Sequence, residues 1–127
     1  MPSSLRIGLG FDVHPFVSGR PLKLGGVAIP HPVGLAGHSD LDLLRQVRER
    51  LARKGARIVN VDAVVIAEAP RIAPYVDMMR ARIGEALGVS ADAVSVEGTT
   101  GGRLGVAGGG EGIAAQAVCL VALPVSA

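Results

Sequence analysis

The stretch Ile58 to Ala67, IVNVDAVVIA, narrows the fold more than any other part of the chain. It is β-branched and mostly apolar, as a strand covered on both faces should be, with Asn60 and Asp62 as polar exceptions. Amphipathic segments flank it. From Leu41 to Lys54 the residues Leu43, Leu44, Val47 and Leu51 recur at helical spacing, Asp40 or Asp42 can cap the start, and Gly55 ends the run. From Tyr75 to Leu87 the same spacing is held by Val76, Met79, Ile83 and Leu87, and Gly88 closes it. Helix, buried strand, helix is therefore the centre of the expected architecture.

Around that centre the sequence predicts strands over 5–11, 20–27, 94–97 and 113–121. Ser18-Gly19 provides turn chemistry between the first two, which are expected to pair as a hairpin. Residues 29–37 carry Pro30, Pro32, Gly34 and Gly37 and are expected to be loop. A glycine-rich loop follows over 99–112. The order β-β-α-β-α-β-β implies an α/β fold of the two-layer α+β kind, a mixed sheet with helices packed on one face.

The 127 residues suit one domain. Because 49% of them are apolar and only 2% aromatic, the core must be built from Val, Leu, Ile and Ala. Thirteen basic and eleven acidic residues are interspersed, which gives no support to nucleic-acid binding. The single cysteine, Cys119, sits in the apolar run 117–123 as a small core residue, so no disulfide can form within the chain. No apolar run is long enough to span a membrane and no secretory leader is visible, so the expectation is a cytoplasmic protein without a membrane partner.

Four segments carry chemistry. In Gly10-Phe11-Asp12-Val13-His14, Asp12 and His14 are two apart on a strand and point to one side, so they can offer an oxygen and a nitrogen to one ion. A catalytic zinc normally takes three protein ligands, and the competing reading is a turn aspartate beside a surface histidine. His38-Ser39-Asp40 either joins that cluster or caps the following helix. The loop TTGGRLGVAGGGEG, 99–112, can bring backbone N–H groups, threonine hydroxyls and Arg103 to phosphate oxygens, or can serve as a plain connection. It lacks the Gly-Lys-Ser/Thr ending of a P-loop. Ala67-Glu68-Ala69-Pro70-Arg71-Ile72-Ala73 leaves a buried strand and enters a helix, where exposed backbone can read a base or simply connect.

Taken together, GFDVH at 10–14, GHSD at 37–40, NVD and IAEAPRIAPY over 60–75, and LG followed by GEGIAA ending at 115 resemble the zinc-dependent 2-C-methyl-D-erythritol 2,4-cyclodiphosphate synthases, in their order across nearly the whole chain. The resemblance implies a homotrimer whose sheets face a threefold axis, with active sites between subunits. It also implies conversion of 4-diphosphocytidyl-2-C-methyl-D-erythritol 2-phosphate to the cyclic diphosphate with release of CMP, in the non-mevalonate isoprenoid pathway. The attacking group in that reaction is the substrate's own 2-phosphate, so the protein contributes positioning and charge neutralisation. Zinc and a second divalent ion, magnesium or manganese, are the implied cofactors. By position, Asp12 and His14 correspond to two zinc ligands that also face substrate, and His38 and Ser39 to the pair contacting substrate phosphate. Ala67, Glu68, Ala69, Pro70, Arg71, Ile72 and Ala73 correspond to the cytidine pocket, and Thr99 and Thr100 to the threonine pair beside the diphosphate. His38 and Thr100 are the implied transition-state stabilisers.

The chain also departs from that family. After HSD the family continues with Gly-Asp, the His that completes the zinc site, a helix, and a flexible loop that holds the erythritol. Here Asp40 runs straight into the family's next helix, and Gln46 would be a poor substitute for the missing His. Either the segment is deleted between residues 40 and 41 or a mobile segment was left out of the numbering, and the second is the favoured expectation. The family has an acidic residue where Gly102 stands, an Arg where Gly109 stands and a phenylalanine where Val106 stands. These departures keep a second reading open, a catalytically impaired member acting as a trimeric cytidine-nucleotide-binding or scaffold protein. A metal-binding regulator unrelated to isoprenoids is a third.

Overall fold

The computed structural model describes residues 3–37, 40–101, 105 and 110–124. A five-stranded mixed sheet has the order β4-β1-β7-β5-β6, formed by β1 (Ser3–Val17), β4 (Gly34–Leu35), β5 (Arg57–Ile66), β6 (Val94–Thr99) and β7 (Gly112–Pro124). A separate hairpin is formed by β2 (Leu22–Leu24) and β3 (Val27–Ile29), and the helices are α1 (Asp40–Arg53) and α2 (Val76–Leu87).

The expected helix–strand–helix centre is present. Leu44 and Leu51 of α1 and Ile83 and Leu87 of α2 pack on Ile58 and Val61 of β5, and Met79, 1% exposed, joins Val65, Val94 and Val96 in the larger cluster. Gly88 takes a left-handed φ of 72° and receives the end of α2, as a C-terminal glycine should. Both helices lie against one face of the sheet, because the residues they meet on β5 and β6 alternate with exposed Asn60, Asp62, Ser95 and Glu97.

Two local expectations are corrected. The first strand does not pair with 20–27: β1 is fifteen residues long and pairs antiparallel with β7 along 3–15, and with β4 at Phe16 and Val17. The segment 20–27 instead folds on 27–29 through Gly25-Gly26, whose φ values of 55° and 77° form the tight two-residue turn that glycine permits. Within the expected loop 29–37, Gly34–Leu35 closes the edge of the sheet.

Both β1 and β5 pair antiparallel with β7, and one parallel pair, β5 with β6, brings further polar candidates together. β5 is antiparallel to β7 but parallel to β6, with Ile66 beside Thr99, so the carboxyl ends of β5 and β6 emerge together. β1 meets β7 with His14 opposite Ile113 and Pro15 opposite Gly112.

On the sheet face away from the helices, Asp62 lies on β5 and Glu97 on β6, paired respectively with Ser95 and Val64. Desolvation first, then the charge of Asp62 and a hydrogen bond with it, raise the Glu97 carboxyl above its ordinary value. A raised pKa means that the folded state favours protonated Glu97, so this contribution is present at acid pH and is lost as pH rises through the raised value. Asp62→Asn should lower the Glu97 pKa towards the ordinary one and flatten the loss of stability on going from acid to neutral pH. Carboxyl NMR titration of Glu97 checks it, and an unshifted titration in the variant would refute it.

Candidate functional site

Asp12 and His14 meet as strand periodicity requires. Asp12 Oδ2 lies 2.9 Å from His14 Nε2, and Asp12 Oδ1 accepts a 2.9 Å hydrogen bond from the Val13 backbone N–H. His14 is half-buried and Asp12 mostly exposed, so the pair sits at the rim rather than in the core. Gly37, at φ 129°, lies under the imidazole: a Cβ there would come within 3.0 Å of His14 Cε1. The backbone therefore passes His14 one residue before His38.

His38 and Ser39, and the side chain of Asp40, lie outside the described residues, as do Gly102, Arg103, Val106 and Gly109. Among the described residues no group of three or more His, Cys, Asp or Glu side chains could hold a metal. Asp12 and His14 thus suit a divalent ion in kind but are one short of three in number, and the described residues do not complete a zinc centre.

The second part of the site forms where β5 and β6 end. Ala67, Glu68, Pro70, Arg71, Ile72 and Ala73 share a cavity of about 220 Å³ with Gly98, Thr99 and Thr100. The parallel pairing explains the meeting, and the Ala67 N–H donates to the Thr99 carbonyl at 2.9 Å, tying the two strand exits together. Of the seven residues from 67 to 73, Ala69 alone does not line the cavity, and it is joined to Pro70 by a cis peptide bond. Ile72 is 5% exposed and forms an apolar wall, while Arg71, Thr99 and Thr100 are exposed donors. Gly98 is required behind that wall, since a Cβ there would stand 2.8 Å from Ile72 Cβ. The sequence reading did not single out Gly98; only the pairing of β5 with β6 places it against Ile72.

A third feature, also absent from the sequence reading, is a cavity of about 460 Å³ bounded by His14, Arg20, Pro21, Lys23, Gly26, Leu35, Ala36, Gly37, Leu41 and Arg82. Its basic residues come from separate parts of the chain, which explains why no local motif announced it.

The chain is similar to proteins of one kind. The sequence pattern of the YgbB family matches residues 5–44 and 41–122, in two pieces that meet at the start of α1. The 2-C-methyl-D-erythritol 2,4-cyclodiphosphate synthase of Laribacter hongkongensis is 44% identical over 155 aligned positions, covering 93% of this chain and 96% of that protein. That of Moorella thermoacetica is 42% identical over 154 positions, covering 92% and 94%. Both alignments are longer than the 127-residue chain, so these relatives carry residues that it lacks. The crystal structure of the Plasmodium vivax synthase superposes with a TM-score of 0.86 at 30% identity, covering 96% of this chain and 100% of that one. A Plasmodium falciparum structure solved as a CDP complex gives 0.84 at 27% identity, covering 98% and 100%. With a match in both halves, close relatives along nearly their whole length and the same fold, the chain belongs to the YgbB family, whose curated relatives here are cyclodiphosphate-forming lyases.

Proposed function

We propose that this chain closes the ring of 4-diphosphocytidyl-2-C-methyl-D-erythritol 2-phosphate, yielding the 2,4-cyclodiphosphate and CMP in isoprenoid precursor biosynthesis. The observation that carries the reading is the cavity at the ends of β5 and β6, where the 67–73 connection meets Thr99 and Thr100. Under this reading the backbone of 67–73 and the Ile72 side chain hold the cytosine ring, and Thr99 and Thr100 hold the diphosphate. The substrate's 2-phosphate is the nucleophile and CMP the leaving group, so rate enhancement comes from alignment and from donors facing the developing charge. His38 and Thr100 serve as those donors, with Ser39 on the phosphate.

Asp12 and His14 are the residues that would hold a divalent ion, zinc in the family, with magnesium or manganese on the diphosphate. Two donors do not complete that centre, so no step is assigned to it.

The assembly proposed is a homotrimer. Leu5, Ile7, Leu9, Phe11 and Val13 share one face of β1 and all are exposed, Ile7 by 76%. A row of five apolar side chains on a strand calls for a cover, and further copies of the chain supply one. Among the described residues no helix is long and apolar enough to cross a membrane. Cytoplasmic location belongs to the same proposal.

Gly98→Ala tests the nucleotide pocket. The added methyl group must push Ile72 into the cavity, and CDP affinity should fall roughly tenfold, the size of a lost snug apolar contact. Calorimetric titration with CDP reads this directly, and unchanged affinity would remove the 67–73 segment from the nucleotide site. The shortfall of metal donors among the described residues favours one second reading, a trimeric protein that binds cytidine nucleotides without turning them over. It predicts CDP binding with no CMP release.

A further inference from the structure

We propose that Arg20 and Arg82 are positioning residues for the His14 end of the site, acting through two glycine carbonyls and not on substrate. Arg20, in the turn after β1, donates from Nη2 to the Gly37 carbonyl, and Arg82, on α2, donates from Nη1 to the Gly26 carbonyl, each at 3.2 Å. The partners stand 17 and 56 residues apart in the chain, so both bonds are products of tertiary folding. Arg45 and Arg80 behave differently, each taking a carboxylate three residues away on its own helix, Asp42 and Asp77. Among the described residues neither Arg20 nor Arg82 pairs with a carboxylate.

Each carbonyl belongs to a glycine pressed against a side chain. Gly37 passes under the His14 ring so closely that a Cβ would stand 3.0 Å from Cε1 and 3.1 Å from Nδ1, and its φ of 129° is one that glycine adopts freely. On its near side this backbone is tied to β1, where the Ala36 N–H donates to the Pro15 carbonyl at 3.2 Å. Arg20 ties its far side, at the carbonyl that leads on to His38. Gly26, in the β2–β3 turn, is wedged between the helices: a Cβ there would collide with the Leu41 side chain of α1, and one on Gly25 would stand 2.9 Å from Met79 Cγ of α2. Arg82, one turn beyond Met79, holds that wedge in place.

The two bonds therefore act on either side of His38, Ser39 and Asp40 in the sequence, directly at residue 37 and by way of Gly26 at residue 41. Glycine has more backbone freedom to lose than any other residue, so Gly37 and Gly26 are where an unheld chain would swing. An ångström of misplacement at a substrate-facing group costs up to about a hundredfold in rate. The expected effect on rate rests on the ring-closure reading, whereas the expected effect on His14 and Leu41 does not.

The test uses Arg20→Met and Arg82→Met, which keep an apolar stem and remove the donor, with Arg20→Lys and Arg82→Lys as partners. Each Met variant should lower kcat for CMP release about tenfold in zinc and magnesium. Each Lys variant should recover most of the loss, because one N–H aimed at one carbonyl is all the contact requires. CDP affinity by calorimetry should not change, since the cavity that holds both arginines shares no lining residue with the cavity at the ends of β5 and β6. In NMR at one fixed pH, Arg20→Met should move the His14 ring resonances and Arg82→Met the Leu41 methyl resonances. Both arginines are exposed, so the fold should tolerate every variant, and Arg45→Met should alter none of these readouts. Unchanged kcat in both Met variants of an active parent, or unmoved His14 and Leu41 resonances, would overturn the proposal. A loss that Lys does not recover, accompanied by weaker CDP binding and altered circular dichroism, would assign the arginines to general stability and overturn it as well. A parent chain that releases no CMP would count against the ring-closure reading alone, and the resonance shifts would still decide the positioning role.

Discussion

Gly112→Ala should destabilise the protein by about 3 kcal/mol and disturb the Asp12–His14 pair. A Cβ at Gly112 would collide with the His14 carbonyl oxygen and stand 3.0 Å from Pro15 Cα. Both obstacles are backbone, so no side-chain rotation can relieve them. The strands must separate where β7 begins, and overpacking of this kind costs about 1–3 kcal/mol or somewhat more when backbone has to move. The same strand end is tied by the Phe16 N–H to the Glu111 carbonyl at 2.9 Å, so displacement would spread along β1 towards His14. Urea unfolding gives the stability change, and histidine NMR reports the environment of His14. A midpoint equal to that of the parent protein would contradict this account of the β1–β7 junction.

Ile7→Asp should convert the proposed trimer to a monomer. Ile7 is the most exposed of the five apolar residues on the outer face of β1, and its cross-strand partner Leu120 continues the apolar surface onto β7 beside exposed Val118. A carboxylate in the middle of that surface would be stripped of water without a partner in every subunit, which is far costlier than the loss of one apolar contact. Because Ile7 is exposed in the single chain, the fold itself should tolerate the change. Light scattering should then give the mass of one chain, 12.9 kDa, with native circular dichroism. A variant that keeps the parent's oligomeric mass would show that this face is not the subunit interface.

The legibility of the chain followed the range of the interactions. The helix–strand–helix centre could be read because period and caps are local: Val76, Met79 and Ile83 define a face and Gly88 ends the helix. The Asp12–His14 contact was readable for the same reason, since two residues on one strand are set side by side by the pleat. The partner of β1 was not, because β7 lies about a hundred residues further on and nothing local distinguishes it from the nearer segment 20–27. The expected strand over 20–27 runs through Gly25-Gly26, which instead form the turn of a hairpin, so the pairing of 5–11 with 20–27 gives way to that of β2 with β3. The cavity at the ends of β5 and β6 was half legible: 67–73 and 99–100 were each marked by composition or resemblance, and the parallel register of Ile66 with Thr99 is what joins them. Gly98, Arg20, Lys23 and Arg82 carry no local signature, and their positions became meaningful only when the strands and helices were assembled.

Ring closure is proposed for this family member although Asp12 and His14 have no third metal ligand among the described residues. The most direct measurement is phosphorus NMR of 4-diphosphocytidyl-2-C-methyl-D-erythritol 2-phosphate incubated with the purified full chain, zinc and magnesium, followed by chelation with EDTA. Signals of the cyclic diphosphate and CMP growing in together, and ceasing on chelation, are the predicted result. Substrate left intact by a folded chain that still binds CDP would contradict the claim and leave the nucleotide-binding reading in its place.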